Sequence, residues 1–168
     1  MTAQTGTATH PAITPHAEEV SRTYEEGIVA GLIGAAVIAG WFFLLDAIHG
    51  RPLYTPTVLG TALFGSARES NPFEMAIMFT FVHVLVFAML GGLAARLLAL
   101  AERDANYGFG ILLLFVVFEF GFVIAGMFFA EDVLASLSWP AILVGNLLAA
   151  AAMAVYFRRH HPNLLINP

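Results

Sequence analysis

A chain of 168 residues with 59% hydrophobic residues, 11% charged residues and a formal net charge of −5 lacks the polar surface of a soluble domain, where about 25% of residues are charged. Its acidity and the want of a basic stripe argue against a nucleic-acid partner. Neither Cys nor Lys occurs, which removes disulfides, thiolate metal or iron–sulfur sites, covalent c-type haem, S-acylation, Schiff bases and a Walker phosphate loop.

In chain order, residues 1–22 are polar and rich in Thr, Ala and Pro, and read as a flexible tail. The histidines of the two tails, His10, His16, His160 and His161, read as surface groups. Four apolar runs follow. Nineteen uncharged residues separate Glu26 from Asp46, and 21 separate Glu74 from Arg96. Only Glu119 interrupts Ala105 to Ala130, and 25 uncharged residues run from Val133 to Phe157. Each is long enough for a helix crossing a hydrocarbon core of about 30 Å. The runs are continuous, not alternating, which excludes barrel strands, and in lipid only a helix then satisfies its own backbone. The first run is also too long, and too far from the start, for a cleaved signal segment.

The expected architecture is an all-α integral membrane protein, a four-transmembrane-helix antiparallel bundle. Its helices are placed at about 24–49, 73–100, 107–130 and 139–158, within a domain spanning 23–158, and a short C-terminal tail covers 159–168. Capping chemistry marks the ends. Thr23 with Glu26 suits a capping box for the first helix, and Gly50 with Pro52 stops it. Asn71, Pro72 and Glu74 fit N-cap, N1 and N3 of the second. Asp104 or Asn106 starts the third, and Ser138 with Pro140 starts the fourth. Between the first two helices, the Pro- and Gly-bearing segment 51–71 reads as a loop or as an interfacial or re-entrant piece. Gly27 and Gly31, then Gly34 and Gly40, Gly91 with Gly92, and Gly145 with Ala149 predict close helix contacts. Trp41, Trp139, Tyr54 and Tyr156 read as bundle or interface anchors.

Arg22, Arg96, Arg103, Arg158 and Arg159 fall on one side of these spans, and Arg51 and Arg68 on the other. The positive-inside rule therefore expects both termini in the cytoplasm, in a bacterial cytoplasmic membrane.

Three runs hold one isolated polar group near their middle: His83, Glu119 and Asn146. Counted from the outer helix ends they lie at a shared depth of roughly 12 to 18 Å. The expectation is a buried polar cluster of His83, Glu119, Asn146 and Thr80, in which Glu119 and His83 pair and lock the packing. A second constellation is expected at the outer boundary, where Asp46, His49, Glu74, Glu131 and Asp132 offer carboxylate and imidazole ligands for a divalent metal or ion; the competing reading is solvated charges, with Asp46 paired to Arg51 or Arg68.

The leading functional expectation is a non-enzymatic structural or accessory subunit of a larger membrane complex, with the lipid bilayer and other membrane subunits, or further copies of itself, as partners. One alternative is proton- or ion-coupled translocation of a small solute through an oligomer, using Glu119 and His83. Another is binding of haem, a chlorophyll-type pigment or a quinone: His83 is the sole mid-membrane imidazole, too few for bis-histidine haem within one chain, whereas a pigment magnesium needs one ligand and a quinone needs hydrogen-bond partners.

Overall fold

The computed structural model describes residues 15–65, 71–102 and 138–160, with side chains given from Val20 onward, and individual positions 104, 107, 109, 110, 112–114, 116, 117 and 120. Four helices are complete in it: α1 (Pro15–Ile48), α2 (Tyr54–Phe64), α3 (Pro72–Ala101) and α4 (Trp139–His160). No strand occurs among the described residues. The described positions from 109 to 120 are helical as well, and Gly110 lies beside Leu97 of α3. The rest of the third run, Glu119 included, lies outside the described residues.

Three helices are long and apolar enough to cross a membrane: the stretch Val20–Ile48 of α1, α3 and α4, with mean hydropathies of 2.4, 2.2 and 1.8 in their most apolar windows. Only 22%, 22% and 17% of those windows is buried against the rest of the chain. Water would reject that much apolar surface, whereas hydrocarbon accepts it.

The helix ends follow the local chemistry with one exception. Asn71 accepts a hydrogen bond from the Phe73 amide at 3.1 Å, and Pro72 occupies the first helical position, where its missing N–H is no loss. At the end of α1, Gly50 takes φ +70; its amide donates to the Ala47 carbonyl at 3.0 Å, and the Arg51 amide to the Asp46 carbonyl at 2.9 Å. That pair of bonds is a Schellman motif, and its left-handed position favours glycine. The exception is Thr23, which lies inside α1 and does not start it. The helix already covers Pro15, the first described residue, so positions 15–22 of the expected tail are helical.

α1 is the hub of the fold, packing on α3 along most of its length and on α4 through its middle. The α1–α3 contact is backbone on backbone. A Cβ built on Gly27 would come within 2.6 Å of the Gly91 carbonyl oxygen and the Gly92 Cα, and one on Gly91 would land on the Gly27 carbonyl and within 2.6 Å of the Gly31 nitrogen. The pairing Gly27 to Gly91 and Gly31 to Phe87 makes α3 antiparallel to α1. Gly34 lies against Met153, and Gly145 against Trp41, so α4 is also antiparallel to α1 and therefore parallel to α3. Two apolar clusters fill the seams, Ala30, Ala95, Leu98 and Phe157 at one level and Ala35, Ile38, Phe87 and Ala149 at the next.

Gly91 and Gly92 are adjacent but differ in what surrounds them. A methyl at Gly91 collides with main chain that cannot swing aside, while at Gly92 its nearest neighbour is a Tyr24 ring carbon at 3.6 Å, ordinary contact. Gly91→Ala is expected to lower stability by about 1–3 kcal/mol through overpacking, and Gly92→Ala to change it by well under 1 kcal/mol. Thermal unfolding of the two variants in one detergent reads the difference, and equal losses would contradict the backbone contact.

A pocket walled by four helices

Beyond the Schellman turn the chain reverses through Pro52 and Leu53 into α2. Leu53 adopts φ 70, a left-handed conformation that costs a non-glycine residue about 1–2 kcal/mol, and its side chain offers α2 no cap. The cap comes from α1. Asp46, buried, accepts from the Thr55 amide at 2.7 Å through Oδ2 and from the Thr55 hydroxyl at 2.8 Å through Oδ1. A carboxylate at a helix N-terminus meets both the orphan amide and the positive end of the dipole, and such charge-assisted bonds are about twice as strong as neutral ones. They hold the strained Leu53 turn shut. On its other side α2 is tied to α3: the Thr57 hydroxyl donates to the Pro72 carbonyl at 3.1 Å, and Gly60 lies on the Met75 backbone.

Across the bundle, Trp41 of α1 donates from Nε1 to the Ala141 carbonyl of α4 at 2.9 Å, and Gly145 leaves room for its indole. α2 on one side and α4 on the other thus wall a pocket of about 510 Å³ whose back is α1 and α3. Phe42 and Phe43 line it from α1, Leu53 from the turn before α2, Pro56 and Leu59 from α2, Phe79 and Phe87 from α3, and Ile142 from α4.

Three of the four residues expected as a buried polar cluster line this pocket: Thr80 and His83 from α3 and Asn146 from α4. Glu119, their expected partner, lies outside the described residues. Thr80 donates its hydroxyl to the Ala76 carbonyl one turn back at 2.7 Å, satisfying itself within α3. His83 sits between Phe79 and Phe87, its ring centroid 5.7 Å from the first and 4.7 Å from the second. The imidazole meets the Ala35 backbone of α1, but its Nε2 is buried and finds no hydrogen-bond partner among the described residues. A buried ring nitrogen left in that state costs about 1–3 kcal/mol.

The outer-boundary constellation divides differently. Asp46 spends both oxygens on Thr55, and Arg51, instead of pairing with it, lies over the Tyr54 ring at 4.1 Å. His49 is exposed, with Nδ1 2.7 Å from the Leu45 carbonyl, a donor in the matching tautomer. Glu74 is exposed in the first turn of α3. Among the described residues no three His, Asp or Glu side chains gather as metal ligands; Glu131, Asp132 and Arg68 lie outside them.

The left-handed Leu53 and the capping role of Asp46 escape sequence reasoning, because an acid in the last turn of a helix resembles any boundary charge. One available signal was the pair of phenylalanines four residues either side of His83, which put three rings on a single helix face. No family model matches the chain, and neither a curated protein nor a solved structure is significantly similar to it.

Two substitutions separate structural polar groups from unspent ones. Asp46→Ala removes the cap of α2 and leaves the Thr55 amide orphaned, so about 1–2 kcal/mol of stability is expected to be lost. His83→Leu removes the imidazole's bond to the Ala35 backbone together with the unpartnered Nε2, so loss and gain offset and stability is expected to change by less than about 1 kcal/mol. A loss of more than about 2 kcal/mol would mean that Nε2 has a structural partner as well.

Proposed function

We propose that this chain is an integral membrane protein of four crossings with both termini in the cytoplasm, serving as a non-catalytic accessory subunit that packs against another transmembrane helix. The fourth crossing rests on chain direction. α3 and α4 run parallel, so residues 103–137 must return the chain from the level of Leu98 and Phe157 to the level of Trp41 and Ala141. The 22 residues of α4 measure about 33 Å, and 35 residues suffice for a crossing helix of about 20 residues with turns at both ends. The orientation rests on arginine: Arg22, Arg96, Arg158 and Arg159 gather at one end of the helices, and Arg51 stands at the other.

The observation carrying the subunit role is a ridge on α3. Phe73, Ile77, Phe81, Leu85, Met89 and Leu93 follow at every fourth position, and all are exposed, between 48% and 70%. A row of large side chains at that spacing is what one helix inserts into the groove of another, and here no described helix receives it. The aromatic and thioether groups in the row suit a protein partner as well as acyl chains. The short described connections, such as the five residues 49–53 between α1 and α2, give the protein little with which to act outside the membrane.

Two measurements test this reading. With no native cysteine, single Cys variants can be labelled from either face without background: Arg51→Cys and Ser138→Cys are expected to react from outside, and Glu102→Cys and His160→Cys only after permeabilisation. Ser138 and His160 labelling from the same side would remove the α4 crossing. For the subunit role, the wild-type chain extracted in mild detergent should migrate with defined partner chains, and Phe81→Ala with Met89→Ala should release them without lowering the unfolding temperature. Migration as a lone monomer would refute it.

A further inference from the structure

We infer that α2 is a re-entrant half-helix: it enters the hydrocarbon beside the first turns of α3 and ends within it at Phe64, where its tip meets lipid acyl chains. Nothing in the subunit role is required for this; α1 and α3 need only lie across the membrane. Direction comes from register. In an antiparallel pair the contact positions move in opposite senses, as Gly27 on Gly91 and Gly31 on Phe87 do, whereas in a parallel pair they advance together. α2 and α3 advance together: the Thr57 hydroxyl meets the Pro72 carbonyl, and three residues on in both helices Gly60 lies on the Met75 backbone. α3 runs inward from its N-terminus, so α2 does too. Its starting level is fixed independently. The α1–α3 register, carried on residue for residue, puts Asp46 opposite Pro72, and those two residues hold Thr55 and Thr57 in the first turn of α2. Eleven residues at about 1.5 Å each then reach about 16 Å inward, half of a hydrocarbon core of about 30 Å.

The chemistry of the segment agrees. Sixteen uncharged residues lie between Arg51 and Arg68, too few for a crossing of about 20 and enough for an entry and a return. From Phe64 the chain can span about 23 Å by Asn71, which brings it back to the N-cap of α3. A helix lying flat on the membrane surface would turn a charged or polar face to water. α2 has no charged residue, and its three threonine hydroxyls are spent within the protein: Thr55 on Asp46, Thr57 on Pro72, and Thr61 on the Thr57 carbonyl at 2.9 Å. Hydrocarbon demands that economy, because it offers a hydroxyl no partner of its own. The large side chains left exposed at the far end are Leu63 and Phe64, at 55% and 41%. At the entrance Arg51 lies over the Tyr54 ring at 4.1 Å, a charge and an aromatic of the kind that settle at headgroup level.

The exposed row on α3 supplies a depth ruler for the test. Nitroxide labels on single Cys variants of this cysteine-free chain, held full length in phosphatidylcholine nanodiscs, report depth through their relative collision rates with oxygen and with a water-soluble nickel chelate. Phe73→Cys, Ile77→Cys and Phe81→Cys should carry labels at steadily greater depth. By the α2–α3 register Leu63 stands level with Met78 and Phe64 with Phe79, so labels on Leu63→Cys and Phe64→Cys are expected between those of Ile77→Cys and Phe81→Cys, about 8 Å below that of Phe73→Cys. Tip labels at or above the Phe73→Cys depth, with the ruler intact, would overturn the re-entrant helix and leave the crossing of α3 standing. A ruler without a depth gradient would sink both. The two tip positions are read separately, so either decides the matter if the other variant does not fold.

Discussion

The contact of α1 with α3 through Gly27, Gly31 and Gly91 is the constraint on which the other packing depends. Lipid offers no hydrophobic force between two apolar helices, because acyl chains solvate leucine as well as a neighbouring helix does. What remains is dispersion at short range, which grows as the backbones approach and is lost with the smallest added side chain. Glycine on both faces permits that approach, and α1 and α3 are held at the level where main chain meets main chain. Large side chains near the contact are directed elsewhere, into the clusters with α4 or out to the exposed faces.

Further along the same pair, Phe42 of α1 and Phe79 and Phe87 of α3 line the pocket together with residues of α2 and α4. The short helix α2 is fastened over this end of the pair. The Asp46 carboxylate, the Thr55 hydroxyl and amide, and the Thr57 hydroxyl on Pro72 fasten both edges of that short helix, offsetting a Leu53 turn that would not persist alone.

Much of this could be read from residue order. Asn71-Pro72 marks the start of α3 because a side-chain acceptor followed by a residue without an N–H suits the first turn whatever surrounds it. Gly50 ends α1 for an equally local reason, its positive φ. Gly27, Gly31 and Gly91 are legible as contact points because a bare backbone in a lipid-facing helix has few other uses. Thr23 with Glu26 misled, since a capping-box pattern can also lie within a helix and a local rule cannot tell the two apart. Segment 51–71 stayed open between loop and interfacial piece, because α2 owes its stability to a carboxylate eight residues before it on another helix.

Residue sequence alone determined that the helices belong in hydrocarbon, where they end and which faces are thin, because these follow from transfer energies and from hydrogen bonds within a few residues. Tertiary structure decided what the polar groups are for. Asp46 could have been a metal ligand, an ion-pair partner or a cap, and only the arrival of Thr55 at 2.7 Å made it a cap. His83 reads from sequence only as an isolated imidazole, and the converging helices set its neighbours, Phe79 and Phe87 on its own helix and the Ala35 backbone on α1. A side chain's partner is set by which helices converge on it, and that convergence depends on packing over distances no local pattern encodes.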